Sequence, residues 1–214
     1  MNSGNYKLHY FGGNGRASIS RAILSVGAPN FENVIIGMDQ WGSLKTNGTY
    51  EFQQLPLWEH KGKKYTQSIA IDLYLARQFK LYGKNAEDEY QIDSLLCTFD
   101  DLLPAVCKIA FAFSEEEQKQ VEANKKALIE KLNLYYAVFE KRYIANGTKK
   151  YFLGDHFSLA DIYLTVLMNN IYNIVKEQCP ATKVAPNLVK LITRVKENEL
   201  KTYFEKYFDK ESLF

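Results

Sequence analysis

Tyr6-Lys7-Leu8-His9-Tyr10-Phe11, followed at once by Gly12-Gly13-Asn14-Gly15, decides the fold of this 214-residue chain. Tyr6, Leu8 and Tyr10 fall on one side and Lys7, His9 and Phe11 on the other, the two-residue period of a strand. The glycines break it into a turn. Residues 17–26 then place Ile19, Ala22, Ile23 and Val26 on one helical stripe, closed by Gly27 and Pro29. Val34-Ile35-Ile36 predicts a second strand. Residues 41–48 read as a loop or irregular helix, and 57–60 with 64–66 as a hairpin about Lys61-Gly62-Lys63. Residues 68–79 read as a helix. The order β-α-β-loop-β-β-α is that of a small α/β unit.

Beyond a polar hinge at 80–85 the pattern is helical throughout. Ile92, Leu95, Leu96, Phe99, Leu102, Leu103, Val106, Ile109, Ala110 and Phe113 recur in steps of three and four, predicting one long amphipathic helix over 86–113. Pro104 predicts a kink or break within it. A second long helix carries Leu128, Leu132, Tyr135, Phe139 and Tyr143. Both stripes read as packing faces, without the heptads of a coiled coil. Ser158-Leu159-Ala160-Asp161 is a capping-box start, with Phe157 placed to staple against Ile162. The helix that follows, over 162–175, is apolar on most sides and is expected to be buried. Asp161 is therefore a structural carboxylate, its bond worth about 1 kcal/mol. Pro186-Asn187 opens a further helix with Leu188, Leu191, Ile192 and Val195 inside.

Composition narrows the function classes. Hydrophobic residues make up 46% and charged residues 24%, ordinary for a globular protein, and the net charge is +2. No concentrated basic face for nucleic acid is implied. No apolar run of about 18 residues is present to span a membrane, and residues 1–5 carry no secretory pattern. Cys97, Cys107 and Cys179 are odd in number and lack CxxC spacing, against a disulfide framework or structural zinc and in favour of a reducing, cytoplasmic setting. Asn47-Gly48-Thr49 and Asn146-Gly147-Thr148 read as Asn-Gly turns.

Three separated cues carry the chemistry. Tyr10 brings a phenol to the end of the first strand. Gln54-Leu55-Pro56 is a Leu-Pro step entering the hairpin. Gln67-Ser68 stands where a helix begins, so its free backbone N–H groups suit a carboxylate. Together they describe a pocket for a small anionic peptide with a thiol beside a phenol. A free thiol has a pKa near 8.5, so at pH 7 only a few per cent is the nucleophilic thiolate. A hydrogen bond to a charged group is worth about 1.5–3 kcal/mol, enough to lower that pKa by about one to two. Tyr10 would act as a protonated activator rather than a general base. The competing reading is a core tyrosine on a strand face.

An α/β unit with a Leu-Pro hairpin entry, followed by an all-helical domain with a Ser-x-x-Asp capping box, resembles a cytosolic glutathione transferase of the tyrosine type. The motifs are Tyr-Phe after the first strand, Gly15-Arg16-Ala17, Trp41, Lys45, Gln54-Leu55-Pro56, Gln67-Ser68 and Ser158-Leu159-Ala160-Asp161. The Tyr-Lys-Leu-x-Tyr-Phe opening looks most like the sigma class. The resemblance implies a thioredoxin-like, glutathione-binding domain over 1–80 and an all-α domain over 86–214 carrying the electrophile pocket and dimer contacts. It also implies a cis Pro56, with Leu55 offering its backbone to the cysteinyl unit of glutathione. Gln67 and Ser68 would hold the γ-glutamyl carboxylate, while Trp41, Lys45 and Gln54 would hold the glycine end. Arg16 would support the thiolate, and Asp101 would reach glutathione bound to the other subunit of a homodimer. The bland alternatives are a surface lysine, a capping serine, a structural salt bridge for Arg16 and a solvated Asp100-Asp101 pair. Phe11, Gly12, Gly13, Ala105, Lys108 and Phe111 would wall the pocket for a small apolar electrophile.

Departures from the sigma pattern qualify that picture. Ser18 stands where Glu often follows Gly-Arg-Ala, Phe52-Gln53 replaces a usual Phe-Gly, and the 45–52 loop looks lengthened. Cys97 occupies the first of three acidic positions with which prostaglandin isomerases bind a divalent ion, so no metal is expected. Lys108 falls about where those isomerases carry a tryptophan, against prostaglandin synthesis. Conjugation, hydroperoxide reduction and isomerisation would all draw on the same thiolate. A dinucleotide enzyme is disfavoured, because Ser18 replaces the third glycine of G-x-G-x-x-G and repeated βαβ units are lacking. The serious rival is a non-catalytic glutathione-binding or structural relative on the same scaffold.

Overall fold

The computed structural model describes residues 6–212. The first strand, β1 (Lys7–Tyr10), leads through a 3₁₀ turn (Gly15–Ala17) into α1 (Ser18–Gly27), then β2 (Glu32–Ile35) and α2 (Met38–Leu44). The hairpin β3 (Leu57–His60) and β4 (Lys63–Thr66) precedes α3 (Ser68–Gln78). The sheet order is β2-β1-β3-β4, with β1 parallel to β2 and antiparallel to β3. Because β1 is central, both its edges are hydrogen-bonded, and Leu8 and Tyr10 face the core while Lys7 pairs with Glu32 at 2.8 Å. The β3–β4 turn is Lys61-Gly62, with φ of 49° and 74°, the doubly left-handed geometry whose twist suits a two-residue hairpin.

The helical part comprises α4 (Ala86–Asp100), α5 (Leu103–Ala110), α6 (Glu115–Ala145), α7 (Leu159–Val175), α8 (Ala181–Val184), α9 (Pro186–Glu197) and α10 (Lys201–Lys206). The long helix expected over 86–113 is broken at Asp101-Leu102. Pro104 cannot donate to the Asp100 carbonyl and its ring crowds it, so the chain restarts with Pro104 in the first turn of α5. Phe113, placed inside by periodicity, is 77% exposed beyond that break. On α6, Tyr136 is buried where the stripe had pointed to Tyr135, and on α1 Val26 lies at the surface.

Contacts divide the chain into two compact units, one reaching Tyr82 and including Glu199–Asp209, the other spanning Gly83–Asn198 with residues 210 onward. In the first, α10 packs on α1, burying Tyr203 completely. In the second, α7 is buried on nearly all sides. The expected capping box is present: the Asp161 carboxylate accepts from the Ser158 N–H (2.9 Å) and hydroxyl (3.0 Å). It also accepts from the Phe152 N–H at 2.8 Å, so it ties a loop to the helix start. Burial pushes this carboxyl up to about 6 against the pull of those bonds. Glu140 on α6 does the same for α9, accepting from the N–H groups of Asn187 (3.1 Å) and Leu188 (2.8 Å). A carboxylate there meets two orphan amides and the positive end of the helix dipole.

Candidate active site

Tyr10 closes β1, and its side chain is 8% exposed. Its hydroxyl oxygen accepts the backbone N–H of Arg16 at 2.9 Å. Gly15 makes that approach feasible: its φ is +46°, and a β-carbon there would stand 2.4 Å from the phenolic oxygen. The loop between them is held by Arg21, a guanidinium only 1% exposed. It donates to the carbonyls of Phe11 (2.7 Å) and Gly13 (2.6 Å) and to the Asn33 side chain (3.1 Å). Its carbon lies 5.5 Å from the Tyr10 ring centroid, a cation–π distance. Burial lowers the Arg21 pKa, but an arginine stays charged in a protein.

Beside this loop is a cavity of about 410 Å³ lined by Phe11, Arg16, Trp41, Phe52, Gln53, Gln54, Leu55, Pro56, Thr66, Gln67 and Ser68. Seven of the predicted glutathione-site and catalytic residues (Arg16, Trp41, Gln54, Leu55, Pro56, Gln67, Ser68) thus share one lining. The Leu55-Pro56 peptide is cis. Gln67 sits just before α3 at φ 68° and makes no side-chain bond to its own helix. Its amide instead donates to Gln54 Oε1 at 3.3 Å, joining the two polar cues across the cavity. Ser68 is buried as the first residue of α3, so the capping position belongs to Gln67 and not to Ser68. Gln53 has φ 52° at the position where the family pattern has glycine.

Other predicted residues lie apart from this lining, Tyr10 itself among them, which is bonded to it through the Arg16 N–H. Lys45 is exposed just after α2. Asp101 is exposed at the end of α4. Gly12 is exposed and Gly13 half-buried in the loop after β1. In the second unit, Lys108 and Phe111 line a separate cavity of about 620 Å³ with Cys107, Glu116, Glu117, Gln120 and Asn124, and Ala105 is not among its walls. A larger cavity of about 820 Å³, between β3–β4 and α3, is lined by His60, Lys61, Lys63, Tyr65, Tyr74 and Arg77 among others and holds none of the predicted residues.

Three participants escaped the sequence. Tyr50 stacks edge-on against Trp41 at 5.1 Å, as Trp41 does against Phe11 at 5.8 Å, so an aromatic chain braces the cavity wall. Burial raises the Tyr50 pKa, which keeps its phenol protonated. Arg21 lies off the apolar stripe of α1, and only its place just after a glycine-rich turn hinted at a loop anchor. Asn14, 1% exposed, pairs with the main chain of Asp209.

Residues 101–207 match the model of the family described as glutathione S-transferase, C-terminal domain. The human protein glutathione S-transferase A3 is 32% identical over 167 residues, covering 78% of this chain and 73% of its own. The chain belongs to the glutathione S-transferase family. It is accordingly a transferase, and the solved folds of the family agree with it over nearly its whole length. The monomeric glutathione S-transferase Na-GST-3 of the hookworm Necator americanus superposes with a TM-score of 0.83 at 25% identity, covering 96% of this chain and 98% of its own. A sigma class glutathione S-transferase of Fasciola hepatica gives 0.82 at 25% identity, with 97% and 99% covered. The glutathione S-transferase fold, a four-stranded mixed sheet with helices followed by an all-α part, is therefore the fold of this chain.

Proposed function

We propose that this chain binds glutathione in the cavity of about 410 Å³ and converts its thiol to the thiolate through a hydrogen bond from Tyr10, for transfer to small apolar electrophiles. The observation that carries the reading is the bond from the Arg16 N–H to the Tyr10 oxygen, because Arg16 itself lines the cavity. A phenol whose oxygen accepts one bond is polarised and donates the next more strongly. Donation to a thiolate at about 1.5–3 kcal/mol brings a thiol of pKa near 8.5 close to neutrality. The γ-glutamyl carboxylate is assigned to Gln67, Ser68 and the free amides opening α3, the cysteinyl backbone to Leu55, and the glycine carboxylate to Trp41, Gln54 and Lys45. Lys45, exposed just after α2 and outside the lining, is assigned to it through its long, mobile four-carbon stem. Arg16 adds positive charge beside the thiol.

The class we infer is sigma, on the Tyr-Lys-Leu-x-Tyr-Phe opening and the likeness to the Fasciola hepatica fold. The working domains are 1–80 for glutathione and 86–214 for the helical part, with Phe11, Gly12, Gly13, Ala105, Lys108 and Phe111 offered to the electrophile. A cytoplasmic homodimer, in which Asp101 of a second copy reaches the glutathione amine, completes the proposal, and light scattering across a dilution series tests it. No metal enters the reaction, so reproducible stimulation by calcium or magnesium would contradict it.

The decisive experiment titrates glutathione and a chloronitroaromatic acceptor against wild type and Tyr10→Phe. The expected loss in turnover is about 10- to 100-fold, from a thiol pKa raised by about one to two, with glutathione affinity nearly kept. Equal turnover in the two proteins refutes tyrosine activation, and absence of glutathione binding refutes the site.

A further inference from the structure

The loop from Phe11 to Asn14 belongs to no strand or helix, yet it leads directly into the 3₁₀ turn whose Arg16 N–H meets the Tyr10 oxygen. Arg21 holds its first half through the Phe11 and Gly13 carbonyls. Its second half is held from 195 residues away: Asn14 Nδ2 donates to the Asp209 carbonyl at 2.7 Å and Asn14 Oδ1 accepts the Asp209 N–H at 2.9 Å. A side-chain amide that exchanges both bonds with one main-chain residue has its plane and position fixed together. The far side of this clasp is itself anchored. Tyr203 of α10 is fully buried beside Ser18 and Arg21, and Tyr207 packs its ring 5.0 Å from Phe31.

Asn14 precedes Gly15, which touches the phenol, and Arg16, whose N–H binds it. A shift at Asn14 is therefore passed through two peptide units to the hydroxyl. We propose that Asn14 is a positioning residue that uses the Asp209 main chain to hold the Gly15-Arg16 peptide against Tyr10, so that thiol activation depends on the returning segment Glu199–Asp209. This rests on the tyrosine reading of the site. Asn14 and Asp209 are not among the residues lining the cavity, so the clasp is expected to act on the reactivity of bound glutathione more than on its affinity.

The test is a pH titration of the ultraviolet thiolate band of bound glutathione, with glutathione affinity and urea midpoint measured alongside, for wild type, Asn14→Ala, Asn14→Asp and Tyr10→Phe. Asn14→Ala is expected to raise the thiol pKa by about one and to lower kcat/KM at pH 6.5 about tenfold, with affinity within about twofold of wild type. Asn14→Asp, which keeps the acceptor for the Asp209 N–H and loses the donor, is expected to fall between. Should Asn14→Ala fail to fold, Asp209→Pro removes the opposite N–H without touching the loop and is read the same way. A folded Asn14→Ala, or Asp209→Pro in its place, with the wild-type thiol pKa overturns the proposal if Tyr10→Phe raises that pKa. If Tyr10→Phe leaves it unchanged as well, the tyrosine reading falls and the clasp with it.

Discussion

Gly15→Ala is the sharpest perturbation of the site, because the three atoms nearest the added methyl group all belong to the Tyr10 phenol. Its β-carbon would lie 2.4 Å from the Tyr10 oxygen, 2.8 Å from Cε1 and 2.9 Å from Cζ. Carbon and oxygen need well over 3 Å, so the hydroxyl must retreat by about 1 Å, which takes its 2.9 Å bond to the Arg16 N–H beyond hydrogen-bonding range. The φ of +46° adds strain that an L-residue meets at about 1–2 kcal/mol. With the lost bond at about 1 kcal/mol, the expected destabilisation is about 2–3 kcal/mol. The thiol pKa of bound glutathione should rise by about one to two. Gly62→Ala is the control. It has φ +74° but no atom within 4 Å of the added carbon, so it meets the strain without touching the site. Urea unfolding and the thiolate absorbance read both quantities on the same samples. A Gly15→Ala protein with the wild-type thiol pKa would show that the place of the hydroxyl does not govern the thiol.

Three further outcomes follow from the packing. Gln53→Gly should stabilise the protein by about 0.5–1 kcal/mol in urea unfolding, since the strain of about 1–2 kcal/mol relieved at φ 52° exceeds the roughly 0.5–1 kcal/mol of added unfolded-chain entropy. Glu140→Ala leaves the amides of Asn187 and Leu188 without their carboxylate and should cost about 2–3 kcal/mol, with Glu140→Gln restoring part of it. Asp161 holds its proton more tightly folded (about 6) than unfolded (3.8), so the folded state binds more protons between these values and its contribution to stability falls as pH rises through them. The margin of wild type over Asp161→Asn should accordingly narrow by up to about 3 kcal/mol between pH 3.5 and 7, and a margin that widens would show the capping bonds outweighing burial.

The parts of this molecule that were legible in its sequence are those whose cause is local. The alternation over Tyr6 to Phe11, the Lys61-Gly62 turn and the Ser158–Asp161 box each depend on neighbours within a few positions. Pro104 announced the interruption of the long helical stripe, and the break at Asp101-Leu102 is its steric result. What escaped was non-local. Lys201–Lys206 is too short to display a period, and Tyr203 is buried only because α1 lies over it. The Asn14–Asp209 pair leaves no trace along the chain, and Arg21 is buried by carbonyls that come from another element. At the site, the residue types were readable, while the joining of Gln54 to Gln67 and the bracing by Tyr50 required the fold.

The return of Glu199–Asp209 to the first unit also bears on how the protein is made. At roughly 5–20 residues per second, a ribosome that has finished Tyr82 needs on the order of 6–25 s more to reach Glu199. Through that interval the nascent α1 has no Tyr203 to cover it, and Asn14 has no Asp209. The unit whose synthesis begins first thus waits for a segment made after Gly83–Asn198, and a fragment ending near Tyr82 would carry the glutathione residues without the segment that finishes their support.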